Sequence, residues 1–233
     1  MIALITGASR GLGKAMAEVF AAQGYDLLIT AHNEQRLLQT AEELRTHFLS
    51  INVQAQAFDL SQERSAKLCA DWAVHSADAL DVIINNAGTF TPGDVGTEPD
   101  GSLEHMLRVN LYSAYHLTRG VLPKMKAQGS GHIFTVCSIA GLQAYPGGGS
   151  YSISKFALLG FTKNLRHELK EHNIKVTAVI PGAIYTDSWK GSGVAEGRIM
   201  RPKDLAQMVY AASQLSPAAT VEEIVMRPQL GDL

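Results

Sequence analysis

The stretch Ile2-Ala3-Leu4-Ile5-Thr6-Gly7-Ala8-Ser9-Arg10-Gly11-Leu12-Gly13 decides the fold. Ile2 to Thr6 is a short aliphatic run of the kind that forms a buried strand. It passes without a spacer into a glycine turn and then into Leu12 to Gln23, an amphipathic stretch of helical length. Physically, Gly7 permits a tight turn, Gly11 removes a Cβ where a pyrophosphate must approach, and Gly13 lets the helix pack against the strand. The positive end of the helix dipole then faces an anion. An ordinary strand-to-helix turn can carry glycines as well, so this segment alone leaves both readings open.

Outward from the turn, short aliphatic or β-branched runs alternate with longer amphipathic ones. Ile2 to Thr6, Asp26 to Ala31, Val53 to Phe58, Val82 to Asn85, His132 to Ser138, Lys175 to Ile180 and Glu222 to Met226 read as seven strands. Leu12 to Gln23, Glu34 to Leu49, Ser61 to Ser76, Leu103 to Lys126, Tyr151 to His172 and Pro202 to Leu215 have helical length. The alternation predicts an α/β protein: a three-layer, doubly wound Rossmann fold with a seven-stranded, mainly parallel sheet and helices on both faces. Strands that are apolar nearly throughout are what two covered faces require, and the crossovers are expected to be right-handed. One such sheet accommodates residues 1–233, so a single domain is expected. The loosest stretch, Gly191 to Gly197, follows the sixth strand and reads as a lid or as a plain flexible loop.

Composition narrows the class. Apolar residues make up 46% of the chain and charged residues 18%, enough to fill a large core and too few charges for a disordered chain. Net charge is −2 with Lys and Arg scattered, which leaves no electrostatic footprint for nucleic acid. No apolar run approaches the roughly 18 residues of a membrane span, and with the first strand following Met1 directly no signal peptide is expected. Cys69 and Cys137 have no metal-ligand spacing and fit a reducing cytoplasm. Strand alternation points Cys137 away from Ser138, into the core. The 8 histidines include no paired ligand motif, so no metal is expected.

Two places bear on chemistry. Tyr151-Ser152-Ile153-Ser154-Lys155 sets a phenol and an ammonium four residues apart, on one face of a helix. A phenol titrates near pH 10, and a neighbouring cation is expected to draw it towards neutrality, as an acid or base requires. Ser138, ending the fifth strand, has a hydroxyl to donate to a carbonyl oxygen. At the end of the second strand, where an NAD enzyme places a carboxylate on the ribose, the chain has Ala31. The missing acid removes both an acceptor and the repulsion of a 2′-phosphate, and Arg10 and His32 lie close in sequence or fold. NADP(H) is therefore expected to be preferred, with NAD(H) as the alternative.

These motifs together resemble the short-chain dehydrogenase/reductase family. Thr6 to Gly13 is similar to its T-G-x-x-x-G-x-G, Asn85-Asn86-Ala87-Gly88 to its N-N-A-G, and Tyr151 with Lys155, thirteen positions after Ser138, to its Y-x-x-x-K. Asn110 resembles the family's helix asparagine, and Pro181-Gly182 followed by Thr186 its P-G-x-x-x-T. The likeness runs through the sixth strand and loosens after Thr186. It implies an oxidoreductase interconverting a carbonyl and a secondary alcohol, with Asn110, Ser138, Tyr151 and Lys155 as the catalytic four. Tyr151 would act as acid or base and Lys155 as its tuner, while Asn110 would hold a water leading from Lys155 to solvent. A mid-helix Asn that satisfies a local backbone group is the bland alternative.

The resemblance also implies a cofactor site. Gly7, Ser9, Arg10, Gly11, Leu12 and Gly13 would cradle the phosphates, with Ala31 and His32 at the adenosine ribose. Asp59, followed by Leu60, would meet the adenine, although a role beside a helix N-cap competes. Asn86, Ala87 and Gly88 would adjoin the nicotinamide ribose with Tyr151 and Lys155. Pro181, Gly182, Ile184 and Thr186 would grip the carboxamide and direct pro-S transfer.

Leu142, Tyr145, Pro146, Ile184, Tyr185 and Trp189 are mainly apolar or aromatic and predict a neutral, moderately hydrophobic small-molecule substrate. Lys190 and Arg198 are the nearby cations that would meet an anionic one. A 3-oxoacyl-[acyl-carrier-protein] reductase of fatty acid synthesis is the alternative, although the ending Val225 to Leu233 lacks that enzyme's glycine-rich segment. A dinucleotide sensor without chemistry is a third reading. Met106, Tyr112 and Met125 on Leu103 to Lys126 read as packing residues. In the family that helix commonly meets a sister subunit, which implies a homodimer or homotetramer.

Overall fold

The computed structural model describes residues 1–186, 189 and 193–232. Among them are seven strands: β1 Ile2–Thr6, β2 Asp26–Thr30, β3 Val53–Ala55, β4 Val82–Asn85, β5 Gly131–Val136, β6 Ile174–Pro181 and β7 Glu223–Met226. They form one sheet in the order β3-β2-β1-β4-β5-β6-β7, with every pairing of these strands parallel. The helices are α1 Gly11–Ala22, α2 Glu34–His47, α3 Glu63–Ser76, α4 Ser102–Leu107, α5 Ser113–Gln128, α6 Gly149–Leu169 and α7 Pro202–Ser213. The winding reverses between β1 and β4, which opens a crevice at the carboxyl ends of those two strands.

Side-chain alternation explains the three layers. Ala3 and Ile5 of β1 pack on one face with Met16 and Phe20 of α1 and with Leu205 and Val209 of α7. Leu4, between them, points to the other face, against Cys69 and Ala70 of α3 and Leu117 and Val121 of α5. Phe134 and Ile133 of β5 divide in the same way. Each fully buried aliphatic side chain contributes roughly 1.5–3 kcal/mol, so both apolar faces hold their helices. The helix of α3 and that of α5 approach so closely that a Cβ on Gly120 would overlap the Cβ of Ala70.

Two differences from expectation trace to contacts between segments distant in sequence. The strand expected over Val53 to Phe58 ends at Ala55. The amides of Gln56 and Phe58 still donate to Ile29 and Ala31 at 3.2 Å each, so the chain keeps following β2 past the regular ladder. The helix expected over Leu103 to Lys126 is not continuous: α4 and α5 are joined by a π turn, Arg108–Tyr112. A π turn fits one extra residue into a helical path and is common at functional sites. At its centre Asn110 bonds the backbone of Thr89, a tertiary tie that holds the wider turn.

Candidate active site

The carboxyl ends of β1 and β4 are buckled together by one hydroxyl. Thr6 Oγ1 donates to the Ile84 carbonyl at 3.3 Å and accepts the amides of Asn86 and Ala87 at 2.9 Å each. The Asn86 side chain answers by donating to the Thr6 carbonyl at 2.9 Å. Gly7 has φ +65°, and a Cβ on it would lie 2.9 Å from Asn86 Nδ2; one on Gly13 would overlap the Gly7 carbonyl. The turn and α1 can approach only because both positions lack a side chain. The first turn of α1 has no acidic residue and no side-chain cap, which leaves the positive helix end unneutralised from within the turn.

α6 brings Tyr151 and Lys155 to the same crevice. Lys155 is 5% exposed, and its ammonium donates to the Val136 carbonyl at 2.9 Å and lies 5.8 Å from the centre of the Tyr151 ring. Burial lowers its pKa to about 8. Burial also raises the Tyr151 phenol above its usual value, partly offset by a hydrogen bond with the Ser138 hydroxyl. The expectation of a phenol drawn towards neutrality by Lys155 is therefore corrected for this geometry. Desolvation outweighs a cation that stands over the ring and is held by a carbonyl. The phenol stays in its proton-bearing form at neutral pH.

Asn110 is buried behind this pair. Its amide group donates to the Thr89 carbonyl at 3.1 Å and to Ser154 Oγ at 2.9 Å, and its oxygen accepts the Thr89 amide at 2.8 Å. A Cβ on Gly88 would lie 3.2 Å from Asn110 Oδ1 and 3.7 Å from Lys155 Nζ. The glycine thus keeps the asparagine and the ammonium within reach of the crevice. Cys137 packs among Leu158, Leu159 and Ile180, and burial pushes its thiol up to about 11, so it is a core residue as strand alternation predicts.

A cleft of about 390 Å³ collects most of the expected residues. Gly7, Arg10, Gly11, Leu12 and Gly13 line it from the turn, and Asn86, Ala87 and Gly88 from the end of β4. Ser138, Tyr151 and Lys155 line it from the middle, and Pro181, Gly182, Ile184 and Thr186 from the end of β6. Ser9, Ala31, His32, Asp59, Leu60 and Asn110 do not line it. The Ser9 carbonyl accepts the Thr40 hydroxyl at 3.1 Å, Ala31 and Leu60 are buried, and His32 is exposed. Asp59 is also exposed, and its carboxylate accepts the amide and the hydroxyl of Ser61 at 3.0 and 2.7 Å, a turn that leads the chain into α3.

On the substrate side, Leu142 and Tyr145 are partly exposed and the strand-like bridge of Ile184 to Met200 fixes the chain after β6. Lys190 and residues 191 and 192 of the expected lid lie outside the described residues. Arg198 donates to the carbonyls of Gly231 and Asp232 at 2.9 and 3.1 Å, so its guanidinium is engaged by the carboxyl-terminal tail rather than turned to an anionic substrate. That tail folds back on the cleft: a Cβ on Gly182 would lie 2.8 Å from Asp232 Oδ1. No group of three or more metal-ligating side chains is assembled among the described residues, and no described helix is long and apolar enough to cross a membrane.

Sequence reasoning passed over Thr89, Phe90, Val136 and Glu98. Phe90 stands edge-on to Tyr151 with ring centres 4.8 Å apart and lines the cleft. The one available signal was an aromatic residue two positions after Asn85-Asn86-Ala87-Gly88. Glu98 and Val136 act through contacts between distant segments that no local spacing reveals.

A family model described as short chain dehydrogenase matches residues 1–196. The chain belongs to the short-chain dehydrogenase family. Within this family, sepiapterin reductase of Chlorobaculum tepidum is 31% identical over 242 residues, covering 100% of this chain and 98% of its own. A 3-oxoacyl-[acyl-carrier-protein] reductase of Aquifex aeolicus is 31% identical, over 96% of this chain and 94% of its own. Among solved structures, L-sorbose reductase from Gluconobacter frateurii, complexed with NADPH and L-sorbose, matches with a TM-score of 0.88 at 27% identity, over 97% of this chain and 94% of that one. The alcohol dehydrogenase of Thermococcus sibiricus complexed with 5-hydroxy-NADP gives 0.89 at 26% identity, over 98% and 96%. The seven-stranded parallel sheet is thus the fold of these short-chain dehydrogenases.

Proposed function

We propose that this short-chain dehydrogenase prefers NADP(H) and interconverts a neutral, moderately hydrophobic carbonyl compound and its secondary alcohol, with Tyr151 as the acid–base group. The observation that carries the reading is the convergence of Tyr151, Lys155 and Ser138 on a glycine-lined cleft. That cleft fits a dinucleotide. Gly7, Gly11 and Gly13 keep backbone bare where side chains would intrude, and a Cβ on Gly11 would lie 3.3 Å from Thr186 Cγ2 across it. Gly7 and Gly11 to Gly13 would hold the phosphates, Asn86 to Gly88 with Lys155 the nicotinamide ribose, and Pro181 to Thr186 the carboxamide. The absence of an acid at Ala31, the guanidinium of Arg10, the neighbouring His32, and the NADP-type ligands of the two structural relatives support NADP(H) over NAD(H).

A bound nicotinamide dinucleotide supplies or accepts the hydride. This chain's own groups manage charge and proton. The Ser138 hydroxyl donates to the carbonyl oxygen and steadies the charge that develops there. Tyr151 gives its phenolic proton to the nascent alkoxide, and Lys155, charged below its pKa of about 8, stabilises the phenolate left behind. A phenol raised by burial begins in the proton-bearing form, the form that reduction requires.

The similarity to the Aquifex aeolicus enzyme favours a second reading, reduction of a 3-oxoacyl thioester. The purified protein mixed with NADPH and a panel of ketones plus an acetoacetyl thioester separates them. Loss of NADPH absorbance with a neutral ketone is the expected result. Turnover confined to the thioester favours the second reading, and tight NADPH binding with no turnover across the panel overturns both in favour of a sensor.

A cavity of about 650 Å³ between the π turn, α5 and α6 exposes an apolar wall of Leu111, Tyr112, Tyr115, Ala157 and Phe161. This face is proposed to meet a second copy of the chain in a homodimer or homotetramer.

A further inference from the structure

The helix that carries Tyr151 begins at Gly149, the last of Gly147-Gly148-Gly149, a run with no side chain of its own to cap the first amides. The cap arrives from the loop after β4. One carboxylate oxygen of Glu98 accepts the Ser150 amide at 3.3 Å and the other accepts the Ser150 hydroxyl. The glycines make room for it: Gly149 has φ +37°, and a Cβ there would lie 2.9 Å from Glu98 Oε2 and overlap the Gly93 carbonyl. Two more bonds fasten the same segments. The Gly93 amide donates to the Gly147 carbonyl at 3.0 Å, and the Gly147 amide donates to Asp94 Oδ1 at 3.1 Å.

Tyr151 follows Ser150 directly, so the backbone from which the phenol projects is fixed by this carboxylate. Glu98 itself is not among the residues that line the cleft. The same loop carries Thr89 and Phe90, the first tied to Asn110 and the second packed on the Tyr151 ring. The phenol is thereby held at its ring and at its root by one stretch of chain. Proton transfer needs that alignment, because a displacement of about 1 Å can cost about 100-fold in rate.

We propose that Glu98 is a positioning residue for the acid–base tyrosine: by capping α6 from the loop after β4, it holds Tyr151 in line for proton transfer. The proposal rests on the oxidoreductase reading above. A capping carboxylate placed for stability alone would leave turnover of the folded enzyme untouched.

Glu98→Ala, Glu98→Gln and Ser150→Ala, compared with the wild type for kcat, KM and NADPH affinity, test it. Glutamine keeps an oxygen for the Ser150 amide and offers an N–H to the Ser150 hydroxyl. The alanine variant at 98 is expected to lose about tenfold or more in kcat with NADPH affinity within about twofold, and the glutamine variant to return to within about threefold of wild type. Ser150→Ala, which removes only the hydroxyl, is expected to lower kcat in the same direction by a smaller factor and serves if Glu98→Ala does not fold. In protein labelled with 3-fluorotyrosine, the Tyr151 fluorine resonance, assigned by its disappearance in Tyr151→Phe, should move in Glu98→Ala and return in Glu98→Gln. Wild-type kcat in the folded alanine variants, a glutamine variant as impaired as alanine, or a defect confined to NADPH affinity would overturn the positioning role. A wild type that turns over no carbonyl would instead sink the oxidoreductase reading, while the fluorine resonance still decides on Glu98.

Discussion

Tyr151 and Lys155 sit four residues apart, and their burial makes opposite demands on the protein. The phenol, half-buried at the wall of the cleft, is raised by desolvation and neutral. Tyr151→Phe keeps the ring and its contact with Phe90, so the variant should retain NADPH binding and lose carbonyl reduction by about 10²–10⁴-fold, read in the NADPH absorbance assay. The ammonium is a charge in the wrong solvent. Its pKa is about 8 when folded against about 10.4 for an exposed lysine, so the unfolded chain binds more protons between those values. Stability is therefore penalised below pH 8 and recovers as pH rises from 8 to 10.4. Lys155→Met should stabilise the ligand-free protein at pH 7 by about 1–3 kcal/mol in chemical denaturation while abolishing turnover, since it removes the penalty and forfeits only one bond to the Val136 carbonyl. These two residues were legible in the sequence because helical spacing places them on one face, and Ser138 because it ends a recognisable apolar strand thirteen positions before Tyr151. Phe90 and Glu98 were not, because their partners lie 61 and 52 positions away, joined only by the folded chain.

Among elements, the strands announced themselves through apolar runs and the helices through their period, since each signal is local. The π turn had no such signal. Its residues, Arg108 to Tyr112, read as plain helix, and the turn is held by the bonds of Asn110 to Thr89 in another segment. For the same reason the end of β3 was overrun, because only tertiary pairing decides where a ladder loses its regularity. One close helix contact is equally hidden from sequence: Gly120 of α5 lies against Ala70 of α3 with no space for a methyl group. Gly120→Ala should force these helices apart and cost about 1–3 kcal/mol, despite the better helix propensity of alanine, as measured by urea unfolding. An unchanged or increased stability would mean that α3 shifts freely on the sheet.

For the molecule as a whole, acid sensitivity should be set in part by the end of the sheet remote from the cleft. His132, at the start of β5, stacks on Phe134 and meets Thr177 Oγ1 at 2.7 Å, while its other ring nitrogen has no partner. Burial, aided by the charge of Lys175, lowers its pKa to about 3. The unfolded chain takes up a proton near pH 6.5 that the folded chain refuses, so stability is full above 6.5 and falls as pH drops towards 3. Between pH 7 and 4.5 this group should account for about 2–3 kcal/mol of lost stability. His132→Leu, which leaves Thr177 bonded to the Val221 carbonyl at 2.5 Å, should flatten that part of the profile, and an unaltered slope would discount the histidine. The doubly wound layout itself was readable from alternation, because each interior strand needs two apolar faces and every crossover needs a helix. The same layout sends the two ends of the chain to different quarters. β1 runs up the middle of the sheet to Thr6, so Ile2, its amide held by Asp81 at 2.6 Å, emerges beneath the floor, while Asp232 comes to rest against Gly182. A bulky label attached at Met1, which is 64% exposed, would therefore hang clear, whereas one attached at Asp232 would crowd the doorway through which reactants come and go.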